Sequence, residues 1–257
     1  MYEYDVNKNI QTTVVGGLPI ACIGLSQTAR LIVDAAKMNE KTSGPLYFTS
    51  ANGEVVSNCR TDRQFAKLIH GADLISADGQ SIVFASRLLA RRALPERVAT
   101  TDLFDLVAAD AERSGVSFYL FGASDRVNEE VYKRTRRLFP NLPVLGRCHG
   151  YLKGSALSDK IDEINVLAPD ILWVALGVPL EQRFVSQWRH RLSNVGLIKT
   201  AGGLFDFLSG HKRRAPRWMQ NAGLEWFFRL CLEPRRLASR YAVTSPIALL
   251  EMIRSTH

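Results

Sequence analysis

The stretch GADLISADGQSIVFASRL (71–88) places one carboxylate, Asp78, at the end of an apolar run, followed by Gly79 and a helix-like segment. A lone carboxylate there reads in two ways. It can cap the next helix by accepting a backbone N–H. Alternatively, it stands at an open rim as a general base, beside an apolar wall of Leu74, Ile75, Ile82 and Val83. In the second reading Gly79 keeps the backbone bare beside the carboxylate, leaving room for a ligand.

Other polar residues also sit where strand-like runs end. TSANGE (49–54) is a polar turn, or else it offers a hydroxyl (Ser50, or Thr49) and an amide (Asn52) to the same cleft as Asp78. Arg97 in ERVATTDL precedes a helix that Thr101 or Asp102 can cap. It is a solvated surface charge, or it joins the helix-end N–H groups in holding a phosphate. LFGASD has a glycine turn (Gly122) and a helix-opening Ser124. LGVPLEQRF leaves a buried strand through Gly177 and Pro179, and Glu181-Gln182 open a helix. These two residues cap that helix or hydrogen-bond sugar hydroxyls. Gly202 and Gly203 end a further strand.

Several chemistries lack their motif. There is no G-x-G-x-x-G, no G-x-x-x-x-G-K-[ST], no G-x-S-x-G and no H-E-x-x-H. No D-x-D pair proposes a divalent ion, and the five histidines show no ligand spacing, so neither metal nor cofactor is expected. The four cysteines lie far apart, which suits a reducing compartment. The first twenty residues carry charges and lack a secretory apolar core. No apolar run approaches the ~18 residues of a spanning helix.

The positioning elements follow from periodicity. Apolar strands are expected within 44–54, at DLIS, and within 116–124, 169–179 and 195–203, with helices over 58–73, 100–115 and 125–140. Strands buried on both faces and separated by helices predict a Rossmann-like α/β fold, its mostly parallel sheet covered on both sides. Such a sheet gathers the polar strand ends at one rim, where ligands bind.

Composition changes after about residue 208. The net charge is +8, and residues 211–241 hold eight basic side chains against Glu225 and Glu233, which supplies +6 of it. Trp218, Leu224, Trp226, Phe227 and Leu230 are interleaved with these arginines. On an ideal helix Arg229, Arg236 and Arg240 share one face, with Pro234 interrupting the register. The segment reads as a helix pair packed on the domain, as an interfacial element at an anionic membrane, or as the lining of a nucleic-acid groove. We therefore expect an α/β domain over 1–208 and a helical, basic, aromatic appendage over 209–257.

The ordered set TSANGE, ADLISADGQSIVFASR, ERVATTDL, FYLFGAS, PDILWVALGVPLEQRF, TAGGLFDFLSGHKRRAPRW and GLEWFFRLCLEPRRLASRY covers about 45–241. It resembles the WecG/TagA/CpsF family of bacterial glycosyltransferases. The resemblance implies inverting, metal-independent transfer from a UDP-sugar to a polyprenyl-diphosphate-linked sugar at the cytoplasmic face of the membrane. It puts the essential aspartate at Asp78, the T-x-N pair at Ser50 and Asn52, and the pocket arginine at Arg97. The glycine usual after that arginine is Thr100 here, and the usual P-x-Q-E reads Pro179-Leu180-Glu181-Gln182. Arg214, Arg229, Arg235, Arg236 and Arg240 become candidates for the lipid diphosphate. Two rival readings are a nucleic-acid-binding α/β protein and a non-catalytic binder of lipid-linked sugar. A homo-oligomer would cover the tail's apolar faces where no membrane does; under the glycosyltransferase reading no nucleic acid is expected as a partner.

Overall fold

The structure, a computed structural model, describes residues 10–39 and 44–257. Two short strands, β1 (Thr12–Val15) and β2 (Leu18–Ala21), form an antiparallel hairpin. Helix α1 (Leu25–Met38) follows. The six remaining strands, β3 (Leu46–Ala51), β4 (Leu74–Ala77), β5 (Phe118–Gly122), β6 (Val144–Cys148), β7 (Ile171–Ala175) and β8 (Leu197–Thr200), form one parallel sheet in the order β4-β3-β8-β7-β5-β6.

Side chains alternate across this sheet, as the two-residue period of a strand requires. Leu120, Ile171, Trp173 and Leu197 face one layer, packing against Ile32 of α1 and against Leu103, Phe104 and Val107 of α5 (Thr100–Ser114). Tyr119, Phe121, Leu172, Val174 and Ile198 face the other, against Ile161 and Ile164 of α7 (Gly154–Leu167) and Phe184 and Val185 of α8 (Leu180–Trp188). The expected doubly covered α/β sheet is therefore present. The hairpin, α1, β6 and α7 are additions to the elements anticipated from periodicity.

Two local expectations are corrected. The segment 58–73 is not one helix: α2 (Gly53–Thr61) and α3 (Arg63–His70) meet at Asp62. The Asp62 carboxylate accepts from Gln64 N at 2.8 Å and Phe65 N at 3.0 Å, so it caps a new helix instead of continuing the old one. Likewise α5 starts at Thr100 after Ala99, with no side-chain cap from Thr101 or Asp102.

Helix α6 (Asp125–Leu138) follows β5, and α9 (Leu204–Leu208) follows β8. The C-terminal segment forms α10 (Arg217–Asn221), α11 (Glu225–Leu232) and α12 (Pro234–Arg254). Pro234 occupies the first turn of α12, where a missing N–H costs nothing, so it opens a helix at that point. The composition change near 208 does not mark a detached tail. Ala248 and Met252 of α12 join the core cluster of Val15, Ile20, Val55 and Ile75, and Gly17 N donates to Ser255 O at 2.8 Å.

Candidate active site

The carboxyl ends of β3, β4, β5, β7 and β8 open onto a cleft of about 480 Å³ that α9 and the C-terminal helices wall on the far side. Asp78 is the first residue after β4. It does serve a helix end, but not that of α4 (Gln80–Leu89), whose N-cap is Gly79 with no side-chain bond. Its Oδ2 accepts from Thr100 Oγ1 at 3.1 Å and its Oδ1 from Thr100 N at 3.4 Å. The carboxylate thus faces the positive end of α5, with a quarter of its side chain exposed.

Arg97 lies over Asp78. Its Nη2 is 3.5 Å from Asp78 Oδ1, its Nε donates to the Asp78 carbonyl, and its Nη1 donates to Glu225 Oε2 at 2.6 Å. Burial works against its charge, but Asp78 and Glu225 more than offset this and raise its pKa above the ordinary value. Glu225 comes from α11, so the basic segment closes onto the cleft through an acid.

Asn52 caps α2, accepting from Val55 N at 3.1 Å. Ser50 lies between Ser76 Oγ (3.0 Å) and Thr100 Oγ1 (3.3 Å) and accepts from Lys199 Nζ at 2.8 Å. Thr49 points into the sheet; its hydroxyl pairs with Thr200 Oγ1 at 2.7 Å and it does not line the cleft. The expected opening beside Gly79 is absent. A Cβ there would lie 2.9 Å from Asn52 Cα, so Gly79 permits close approach of the β3 and β4 ends and leaves no room for a ligand.

On the opposite wall Glu181 is 3% exposed, and its Oε2 accepts from Gly202 N at 2.7 Å. Desolvation is the largest influence on it and pushes its pKa up to about 7, against the Gly202 N–H and the charge of Lys199. Gln182 is buried behind it and donates to Glu181 Oε1 at 3.3 Å. Gly177, Ser124, Thr101, Gly202 and Gly203 line the cleft; Pro179, Gly122 and Asp102 do not. Ser124 caps α6 through Val127 N.

Of the arginines singled out in the sequence, Arg229, Arg236 and Arg240 line the cleft together with Lys212. They do so from two helices, α11 and α12, and not from one helix face. Arg214 instead holds Asp102 and Gln220. Arg235 is exposed and does not line the cleft. Among the described residues no group of three or more His, Cys, Asp or Glu side chains could hold a metal ion.

The sequence profile described as the glycosyl transferase WecG/TagA/CpsF family matches residues 13–257. The chain belongs to this family. It is 33% identical over 204 residues to the N-acetylglucosaminyldiphosphoundecaprenol N-acetyl-beta-D-mannosaminyltransferase of Bacillus subtilis (strain 168), covering 76% of this chain and 77% of that protein. The protein of the same name from Bacillus spizizenii (strain ATCC 23059 / NRRL B-14472 / W23) is 32% identical over 190 residues, covering 74% and 72%. The protein is therefore a glycosyltransferase.

The structure gives several residues contacts that the sequence motifs do not assign. Thr100 supplies two of the contacts to Asp78. Glu225 engages Arg97, and Tyr151 lines the mouth of the cleft. Lys199 is wholly buried beneath Ser50. Its signal was available in VGLIKTAGG, a lone lysine inside a strand expected to be buried on both faces. Among the described residues no helix is long and apolar enough to cross a membrane.

Proposed function

We propose that this glycosyltransferase moves a sugar from a UDP-sugar to a polyprenyl-diphosphate-linked sugar, with inversion and without a metal, in the synthesis of a bacterial surface polysaccharide or exopolysaccharide. The observation that carries the reading is Asp78, half-buried at the rim and fixed by Thr100 and Arg97, in one cleft with Arg229, Arg236, Arg240 and Lys212. Asp78 takes the proton of the acceptor hydroxyl as that oxygen attacks the anomeric carbon, and the UDP leaves with the bonding electron pair. Arg97 and the N–H groups at the start of α5 face the charge that builds on the departing diphosphate.

Ser50, Asn52, Thr101, Ser124 and Glu181 offer polar contacts to the sugars, with Gly177, Gly202 and Gly203 giving close backbone approach. The basic cluster receives the acceptor's diphosphate. Arg229 and Arg240 each keep a buried Nε–H with no acceptor among the described residues, which suits an anion. These arginines turn into the cleft that holds Asp78, which favours a charged substrate over nucleic acid on an open groove.

We read residues 209–257 as an appendage that seats this cleft on an anionic membrane at its cytoplasmic face. Trp218, Trp226, Phe227 and Leu232 are exposed, Gly223 between them in sequence packs over Phe84 of α4, and α4 itself exposes Leu88 and Leu89. The same surface would serve a homo-oligomer away from the membrane. The relatives' named activity makes UDP-N-acetylmannosamine and a polyprenyl-diphosphate-linked N-acetylglucosamine the first substrates to test. Release of UDP with this pair, or with another UDP-sugar, is the expected result, together with a product of inverted anomeric configuration by NMR. Asp78→Asn should lower kcat by a factor on the order of 10²–10⁴. Full activity in that variant would remove the base assignment, and turnover of no UDP-sugar would remove the donor class.

A further inference from the structure

Lys199 sits in the middle of β8, level with Phe48 of β3 and Trp173 of β7, and is 0% exposed. An ammonium there is costly, since a hydrocarbon side chain would pack without desolvating a charge. Its Nζ donates to Ser50 Oγ at 2.8 Å and to the Thr200 carbonyl at 3.0 Å. From Ser50 the contacts continue to Thr100 Oγ1 at 3.3 Å, and Thr100 Oγ1 donates to Asp78 Oδ2 at 3.1 Å. A chain of polar contacts thus links a fully buried cation to the carboxylate in the cleft.

The donor inventory sets the direction of this chain. An ammonium only donates and an ionised carboxylate only accepts, whereas each hydroxyl has one proton to give. Thr100 gives its proton to Asp78 and so can only accept from Ser50. Ser50 accepts from Lys199 and is left to donate toward Thr100 or Ser76. Ser76 spends its own proton on the Thr49 carbonyl at 3.3 Å. If Lys199 lost its proton, Nζ would present a lone pair, Ser50 could turn its hydrogen toward it, and the polarity of the chain would reverse.

We propose that Lys199 is a positioning residue for sugar transfer, whose ammonium, acting through Ser50 and Thr100, orders the hydroxyls that hold Asp78 toward the acceptor. The inference rests on the reading of Asp78 as the base. Lys199 keeps its proton throughout: the acceptor O–H breaks, its proton goes to Asp78, and the electron pair of the broken sugar–phosphate bond leaves with UDP. The charged groups facing Lys199 are Asp78 at the end of β4 and Glu181 on α8, with Arg97 and Glu225 beyond Asp78. Burial dominates and pushes the Lys199 pKa down to about 8, although both carboxylates work to raise it.

The test compares wild type with Lys199→Arg, Lys199→Met and Ser50→Ala, measuring UDP release from about pH 6 to about pH 9.5. In wild type kcat should fall as pH rises through about 8, as the ammonium is lost. Lys199→Arg should stay active beyond that limb. Lys199→Met should lower kcat about tenfold or more, with little change in donor KM, and show no such limb. If arginine does not fit, Ser50→Ala breaks the chain with the lysine in place. Its loss should not multiply with that of Lys199→Met in the double variant. Wild-type kcat and pH profile in Lys199→Met, or multiplying losses, would overturn the proposal. A readout independent of turnover is NMR of the labelled lysine side chain. Its midpoint near 8 should drop in Asp78→Asn, because an attractive charge is gone; an unmoved midpoint refutes the coupling. Full activity of Asp78→Asn would instead remove the base reading itself.

Discussion

Glu181→Gln gives a stability change whose sign and pH window follow from burial. The carboxyl is 3% exposed, and desolvation moves its pKa from an ordinary 4.5 to about 7. The fold therefore keeps this proton longer than the unfolded chain does. Stability from the protonated acid is fully present below about pH 4.5 and is lost as pH rises through about 7. The interval corresponds to about 3 kcal/mol. Glutamine keeps an oxygen for the Gly202 N–H and never ionises. Wild type and variant should thus match closely under acid conditions, with the variant gaining up to about 3 kcal/mol above neutrality. Lys199 loses an attractive partner in the exchange, which trims the gain. For a chain of this size that upper limit is roughly 6–12 °C in Tm. Thermal and urea unfolding of both proteins across this range measures the effect, because the titrating groups other than Glu181 and its neighbour Lys199 behave alike in the two. A difference that does not grow with pH, or that favours wild type at neutral pH, would refute the reasoning.

Two further outcomes test the scaffold and the membrane surface. Gly122 has φ 135°, and a Cβ there would meet the Ala175 carbonyl oxygen at 2.3 Å; Gly122→Ala should cost about 3 kcal/mol or more in urea unfolding, and an unchanged midpoint would refute it. Trp218 and Trp226 are 65% and 51% exposed; replacing either by alanine should weaken sedimentation with anionic phospholipid vesicles about tenfold or more, since inserting a large apolar side chain is worth about 1.5–3 kcal/mol. Equal binding by wild type and both variants would remove these side chains from the membrane contact.

Much of the framework was legible because it is local. Strand–helix alternation and the apolar content of VSFYLFG, DILWVALG and VGLIKT gave the parallel sheet, and the parallel sheet by itself implied a rim of strand ends. Residues from five strand ends meet there, as that logic requires. Less legible were the partnerships. Asp78 looked like a cap for the helix that follows it, but its oxygens serve α5, some twenty residues further on. Asp62 looked like part of a helix, yet its carboxylate ends one helix and starts another.

By itself the sequence determined the layer architecture, the rim and the family, since each rests on residue types at short spacing or in fixed order. Tertiary structure decided which of those residues share a hydrogen bond. Arg229 and Arg240 reach the cleft from separate helices, Arg97 is held by an acid 128 positions away, and Lys199 meets Ser50 across 149. Such contacts depend on strand order and on how helices pack, which no local period encodes. The cost of burying Lys199 and Glu181 arises only once the sheet closes over them.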